Sequence, residues 1–148
     1  KLVLAWVELA ESGLFPSLCL TIDKNSHPSL CEWIEEISVK YKLKIMNMGF
    51  IPRVEVLSLY KRSKALIFPS LVESFGLPLV EANQFGVPII ASELDFVRDV
   101  VCPRETFDPH STTSIARSVR RFLCETEPMI PLLAAEEFLD KVIKDAIK

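Results

Sequence analysis

The chain has 148 residues, of which 49% are apolar and 25% charged, and its formal net charge at pH 7 is −3. This length and composition predict one soluble globular domain with a substantial core. The sequence contains no basic tract and no alternation of basic with aromatic residues, so nucleic acid is not expected as a partner. No apolar run approaches the roughly 18 residues that a transmembrane helix needs.

Cysteine usage indicates the compartment and argues against a metal centre. The four cysteines are Cys19, Cys31, Cys102 and Cys124. They form no CxxC pair and no His/Cys cluster with metal-ligand spacing, so we expect reduced, structural thiols in a cytosolic protein. Cys19 lies in an apolar run, where small buried thiols are common. The histidines, His27 and His110, lie in polar contexts and are expected at the surface.

Apolar periodicity divides the chain into alternating helices and strands. Helical spacing is found at 2–10, after Pro28, after Pro52, and at 94–101, 111–123 and 132–147. Short apolar strands are predicted at 17–22, 42–48, 65–68, 87–91 and 106–107. The helix faces expected to point inward carry Leu30, Trp33, Ile34 and Ile37; Val56, Leu57 and Tyr60; Leu94, Val97 and Val101; Ile115, Val119, Phe122 and Leu123; and Leu139, Val142, Ile143 and Ala146.

This alternation predicts an α/β fold, a Rossmann-like doubly wound parallel sheet with helices on both faces. We expect residues 1–148 to form a single domain. The chain begins at Lys1 on a helix, whereas a doubly wound unit normally begins with a strand. The first strand is therefore expected to be absent or atypical, and the chain to be a fragment of a larger protein.

The segment from Glu73 to Ala82 carries the main functional signal. It follows one predicted strand and precedes another, so it lies at the carboxyl edge of the sheet, where α/β proteins bind ligands. Pro78 suits the first turn of a helix that Gly86 ends. Free amides of Phe75, Gly76 and Leu77, together with the helix dipole, could bind phosphate or hydroxyl groups.

Glu73 and Glu81 flank this helix start with seven residues between them. Glu81 is predicted in the first helical turn, where its carboxylate could accept hydrogen bonds from the vicinal hydroxyls of a ribose. Glu73 could do the same for a sugar. The spacing alone favours a simpler interpretation, because two glutamates with seven residues between them are common by chance. On that interpretation Glu81 is a helix-start acid and Glu73 a solvated loop residue.

The wider context resembles the C-terminal donor-binding domain of retaining glycosyltransferases of the GT-B fold, group 1 type. The resemblance covers roughly residues 43–124 and includes members that assemble bacterial surface polysaccharide. The matching residues are Gly49, Leu59-Tyr60, Pro69-Ser70, Glu73 with Phe75-Gly76-Leu77-Pro78, Glu81-Ala82, Gly86 with Pro88, Ala91-Ser92 and Phe107-Asp108-Pro109.

The resemblance implies transfer of a sugar, with retention at the anomeric carbon, from a UDP- or GDP-sugar to a glycan or lipid-linked acceptor. It implies that Glu73 is the catalytic residue and holds donor-sugar hydroxyls, and that Glu81 holds the ribose. The other donor-binding residues that it implies are Ser74, Phe75, Gly76, Leu77 and the base-facing loop Phe50-Ile51-Pro52. No cofactor or metal is implied, because amide dipoles and basic side chains stabilise the leaving diphosphate in such enzymes.

The departures from the family pattern limit what this chain could do alone. The family's Arg and Lys that bind the diphosphate come from the first strand and loop of this domain, and by spacing that Lys would fall a few residues before Lys1. This chain is therefore expected to lack both residues, as well as the N-terminal acceptor domain. Ser92-Glu93-Leu94-Asp95 replaces a glycine pair, which leaves open whether Glu93 or the amides of Leu94 and Asp95 touch phosphate. Arg98 and Asp99 are expected in surface ion pairs. We expect a cytoplasmic domain, inactive alone, with peripheral contact to the inner face of a membrane left to the missing domain.

Two alternatives stay open at this point. One is a non-catalytic Rossmann-like binding or interaction module, and the other is a GT-B epimerase or phosphorylase-like domain. Fold alone does not separate them, because function depends on the site.

Overall fold

A computed structural model describes residues 1–123 of the chain. Its elements in chain order are α1 Leu2–Glu11, β1 Leu18–Leu20, α2 Pro28–Tyr41, β2 Ile45–Asn47, α3 Arg53–Arg62, β3 Leu66–Phe68, α4 Leu77–Gln84, β4 Ile89–Ser92, α5 Asp95–Arg98, β5 Glu105–Phe107 and α6 Thr112–Phe122. The order confirms the predicted alternation. The helix expected at 132–147 and Cys124 lie outside the described residues.

Every strand pair in this part of the chain is parallel, as predicted. β1 pairs with β2, Leu18 lying opposite Ile45, while β3, β4 and β5 form a second ladder in that order. Within residues 1–123, β1 and β3 exchange no ladder hydrogen bonds. The carboxyl ends of β3 and β4 are tied together by the buried Ser92, whose hydroxyl donates to the Phe68 carbonyl at 3.4 Å.

Two apolar clusters cover opposite faces of the sheet. Successive side chains of a strand point to opposite faces, and in β4 Ile90 joins one cluster while Ile89 and Ala91 join the other. The first cluster contains side chains of α1 and α6, which pack against each other. The second contains side chains of α3, α4 and α5. Helices therefore cover both faces, which confirms the predicted fold class.

The predicted inward face of α2 is correct at Ile34, which is buried, and wrong at Leu30. Leu30 is 44% exposed, and the buried side chains are Cys31 and Ile34. Cys31 lies one position further along, and its thiol is 3.9 Å from the Ile22 carbonyl. The thiol expected to be buried, Cys19, is exposed, because it points away from the cluster that Leu18 enters.

The predicted helix at 94–101 is also too long. Leu94 has an extended backbone and precedes a single turn, Asp95–Arg98, although Val97 and Val101 are buried as expected. The strand predicted at 42–48 begins later, because α2 continues to Tyr41 and Lys42 closes it in the left-handed conformation at φ 54°.

The remaining assignments at the helix starts and the surface agree with the structure. Ser111 is the N-cap of α6, and its hydroxyl accepts a hydrogen bond from the Ser114 amide at 3.1 Å. His27 and His110 are both exposed. No helix within residues 1–123 combines the length and apolarity required to cross a membrane.

Candidate functional site

The candidate site lies where the chain leaves β2 and β3 at the carboxyl edge of the sheet. The loop after β2 carries Phe50, Ile51 and Pro52, and the loop after β3 leads through Glu73 into α4. The first loop ends at Arg53, whose Nη2 lies 2.8 Å from Oε1 of Glu81 on α4, so the two loops lead to neighbouring helix starts. The carboxyl ends of strands are where α/β folds bind ligands. The structure therefore brings the two predicted segments to one side of the domain.

Gly76 sets the start of α4. Its backbone is left-handed, with φ 68° and ψ 42°, a region that glycine enters without steric cost. It is the N-cap, Leu77 is the first helical residue and Pro78 is the second. A Cβ at Gly76 would lie 3.1 Å from Cδ1 of the fully buried Leu79. A glycine is therefore required here by both backbone and packing.

The amides at this helix start are available to a ligand. No side chain caps α4, and among residues 1–123 the amides of Phe75, Gly76 and Leu77 have no hydrogen-bond acceptor. The intrahelical bonds begin with the Leu79 and Val80 amides, which donate to the Gly76 carbonyl at 2.9 and 3.3 Å. Unpaired amides at the positive end of a helix favour an anion or a hydroxyl oxygen.

Glu81 is in the second turn of α4 rather than in the predicted first turn. Because Gly76 caps the helix and Leu77 begins it, Glu81 is the fifth helical residue. Its side chain is 18% exposed, and its Oε1 accepts a hydrogen bond from Nη2 of Arg53 at 2.8 Å. The helix dipole acts mainly within the first turn, so a simple helix-start role does not explain this acid.

Tyr60 on α3 lies near enough to Glu81 for the carboxylate to affect its pKa. Burial is the largest cause that raises the pKa of the Tyr60 hydroxyl, followed by the charge of Glu81 and hydrogen bonding to it. The same hydroxyl is 3.5 Å from the Pro78 carbonyl. Arg53 and Tyr60 are seven residues apart and therefore lie on one side of α3, two turns from each other.

Glu73 contacts Ser70, which lies in the same loop two residues after the end of β3. Oε1 of Glu73 lies 3.2 Å from the Ser70 hydroxyl, which can donate to it or to the Val72 carbonyl at 3.0 Å. The Glu73 side chain is half-buried, and Ser74 beside it is exposed. Along the chain, Glu73 therefore precedes the α4 start and Glu81 follows it.

Large apolar side chains surround these polar groups. The exposed ones are Phe50, Val54, Leu71, Val72, Phe75 and Leu77, with exposures from 51% to 83%. All six come from the two loops and the adjoining helix starts. Clustered exposed apolar groups of this kind typically mark a binding surface.

Glu93 does not offer a free carboxylate to this site. Arg98 holds it in a two-point contact, Nε to Oε1 at 2.8 Å and Nη2 to Oε2 at 2.6 Å. Hydrogen bonding to Arg98, followed by hydrogen bonding to Thr106, lowers the pKa of Glu93 to about 2. The predicted surface pairing of Arg98 is confirmed.

A shallow depression of about 450 Å³ lies beyond Glu93, at the carboxyl ends of β4 and β5. Asp108, His110 and Ser114 line it, and neither Glu73 nor Glu81 does. Because the two glutamates and the open amides lie on the neighbouring surface, we place the candidate site there. In the part of the chain that the structure describes, no group of three acidic, cysteine or histidine side chains could hold a metal ion.

Sequence reasoning missed three side chains at this site: Arg53, Tyr60 and Ser70. Arg53 carried one usable signal, because a cation at the first position of a helix is disfavoured by the dipole and so suggests another role. Ser70 and Tyr60 were noted only as parts of the family pattern. Nothing in the local sequence connects Arg53 with Glu81, 28 residues away.

The fold and the site together define a parallel α/β domain with an open helix start flanked by two carboxylates. The comparisons with known proteins identify its family. The family model for group 1 glycosyl transferases matches residues 18–131, so the chain belongs to that family.

A curated relative and two solved structures agree with this assignment. The serotype-specific mannosyltransferase WbdA of Escherichia coli is 30% identical over 103 residues, which cover 67% of this chain and 13% of that protein. A glycosyltransferase of Rickettsia africae has a TM-score of 0.70 at 22% identity and covers 83% of this chain. Anabaena HepE, solved with UDP and glucose, has a TM-score of 0.66 at 18% identity and covers 82%.

At these identities the two structures show the fold alone. The chain spans about an eighth of the E. coli protein and about a third of each solved chain. Family and fold are therefore established for this domain, and the two structural neighbours share the parallel α/β architecture described above.

Proposed function

We propose that this chain is the nucleotide-sugar binding half of a retaining glycosyltransferase that builds a surface polysaccharide. The observation that carries the proposal is the half-buried Glu81 carboxylate beside the open amides of Phe75, Gly76 and Leu77. A nucleoside diphosphate sugar offers vicinal hydroxyls to the carboxylate and phosphate oxygens to the amides. Membership of group 1 supports this assignment.

Each side chain has a separate role in this proposal. Glu81 accepts hydrogen bonds from the ribose hydroxyls, and the loop of Phe50, Ile51 and Pro52 lies against the base. Phe50 is 83% exposed and provides an apolar face for it. Amides from Ser74 to Leu77 contact the diphosphate and the sugar. Glu73, oriented by Ser70, holds donor-sugar hydroxyls and acts as the catalytic carboxylate.

The reaction as a whole is proposed for a longer protein that contains this chain. An acceptor-binding domain and the basic side chains that neutralise the leaving diphosphate complete the site, and no metal is required. E. coli WbdA is named a mannosyltransferase and Anabaena HepE was solved with UDP and glucose. GDP- and UDP-sugars are therefore the donors to test first, and a cytoplasmic location follows from such donors.

Isothermal titration of the 148-residue chain with UDP, GDP and their sugar conjugates tests the proposal. We expect weak saturable binding and no sugar transfer by this chain alone. Glu81→Ala should weaken binding by about tenfold or more, since a hydrogen bond to a charged group contributes about 1.5–3 kcal/mol. Glu36→Ala, an exposed acid on α2, is the control. No binding by the folded chain, or equal affinity of Glu81→Ala and the unaltered chain, would contradict the proposal.

A further inference from the structure

The geometry points to Arg53 as a positioning residue that holds Glu81 in the orientation needed to recognise a ribose, and so helps to distinguish ribonucleotides from 2′-deoxyribonucleotides. This inference rests on the proposed function, in which Glu81 meets the ribose. It adds a residue from a different helix, which immediately follows the base-facing loop.

The first argument comes from where Arg53 lies. It is the first residue of α3, at the positive end of the helix dipole, where a cation is electrostatically unfavourable. Its side chain is 78% exposed, yet it extends to a carboxylate 28 residues away that is only 18% exposed. Because the guanidinium end of this ion pair is largely exposed to water, which screens the attraction, the pair contributes little to folding, and stability does not account for this arrangement.

The second argument comes from the other group on the same side of α3. The Tyr60 hydroxyl, two helical turns beyond Arg53, lies 3.5 Å from the Pro78 carbonyl at the start of α4, and burial followed by the nearby Glu81 charge raises its pKa. One side of α3 therefore contacts α4 at two points, Glu81 through Arg53 and the helix start through Tyr60. Such contacts restrict the Glu81 rotamer before a ligand arrives, and a group fixed in advance binds with less loss of conformational entropy.

The third argument is chemical. Arg53 bonds Oε1 of Glu81, and the carboxylate keeps acceptor positions on both oxygens for further hydroxyl donors. A carboxylate accepts stronger hydrogen bonds than a neutral group. Loss of Arg53 would leave Glu81 present but free to turn toward solvent, so ribose recognition would suffer more than phosphate contact.

The experiment measures the affinity of the 148-residue chain for UDP and GDP, each against its 2′-deoxy counterpart. We expect the unaltered chain to prefer the ribonucleotide by about tenfold. Arg53→Ala should weaken ribonucleotide binding by about three- to tenfold and change deoxynucleotide binding by less than about twofold. Arg53→Lys, which keeps the charge but not the planar fork, should recover part of the preference.

Two controls separate positioning from general damage. Arg62→Ala removes an exposed arginine from the other end of α3 and should leave both affinities unchanged. The double variant of Arg53→Ala with Glu81→Gln should bind no more weakly than Glu81→Gln alone, because the two residues act through one contact.

The failure of this inference is distinguishable from failure of the proposed function. If the unaltered chain prefers the ribonucleotide and Arg53→Ala keeps that ratio, the positioning role is wrong. That result includes an equal loss for both nucleotides, which would indicate direct phosphate contact. If the unaltered chain binds neither nucleotide, or Glu81→Gln keeps the preference, the proposed ribose role of Glu81 is wrong and the inference about Arg53 is overturned with it.

Discussion

Replacing Gly76 with alanine tests the helix start on which the whole site depends. Gly76 has φ 68°, and the new Cβ would lie 3.1 Å from Cδ1 of Leu79, a side chain with no exposed surface. Gly86 is the matched control. It has φ 66°, and a Cβ there would meet nothing within 4 Å. The two variants share the backbone strain and differ in the contact.

The expected energies follow from these two observations. An alanine in the left-handed region destabilises the folded state by about 1–2 kcal/mol. Replacing glycine also lowers the conformational entropy of the unfolded chain, which offsets about 0.4–1 kcal/mol of that cost. Gly86→Ala should therefore lower the free energy of unfolding by about 1 kcal/mol. In Gly76→Ala the new Cβ also presses on the buried Leu79 side chain, and a close-packed core relaxes only slightly. We therefore expect the free energy of unfolding to fall by about 2 kcal/mol.

Urea denaturation followed by tryptophan fluorescence measures both variants. Trp6 is buried and bonds the Pro16 carbonyl at 2.9 Å, so its emission should report unfolding. The slope of the unfolding free energy against urea concentration should stay unchanged, while the urea concentration at the midpoint of unfolding falls. Nucleotide affinity should drop only in Gly76→Ala, since only that Cβ disturbs the open amides. Equal destabilisation of the two variants, or an unaltered Gly76→Ala, would refute the packing argument.

Two further predictions concern charge and core. Arg98→Ala should return the pKa of Glu93 from about 2 toward its ordinary 4.5, as an NMR titration of the carboxyl group would show. Because the pKa of Glu93 is lower in the folded than in the unfolded chain, the pair stabilises the fold above pH 4.5, and this stabilisation is lost as the pH falls toward 2. An unchanged Glu93 titration in Arg98→Ala would contradict the pairing. Ile115→Ala should cost about 2–4 kcal/mol of unfolding free energy, because that side chain is fully buried. Val39→Ala, at an 80% exposed position, should change stability by less than about 0.5 kcal/mol, and equal effects would contradict the assigned core.

Periodicity was sufficient to predict the order of elements, because the helices bury one side and β4 is a continuous buried apolar run. Its limit is visible in α2, where Ile34 is buried as predicted but Cys31 is buried in place of Leu30. Both residues fit an apolar stripe, and only the neighbouring elements decide between them. The predicted length of α5 was wrong for a related reason. Val97 and Val101 are buried at helical spacing, but only the single turn Asp95–Arg98 is helical.

The candidate site was predictable where its groups are contiguous in sequence. Gly76, Pro78 and the open amides follow from local rules for helix starts. Placing Glu81 in the second turn of α4 requires knowing that the left-handed Gly76 is the N-cap, which local rules did not predict. The contact of Arg53 with Glu81 joins two helices through the tertiary fold, so no local rule could supply it.

One NMR measurement tests the central claim most directly. The amide resonances of the 148-residue chain are followed during titration with UDP and with GDP. The account predicts saturable shifts at Phe75, Gly76 and Leu77, which Glu81→Gln moves to higher nucleotide concentrations. Shifts confined to the depression around Asp108, or no shifts in the folded chain with either nucleotide, would contradict it.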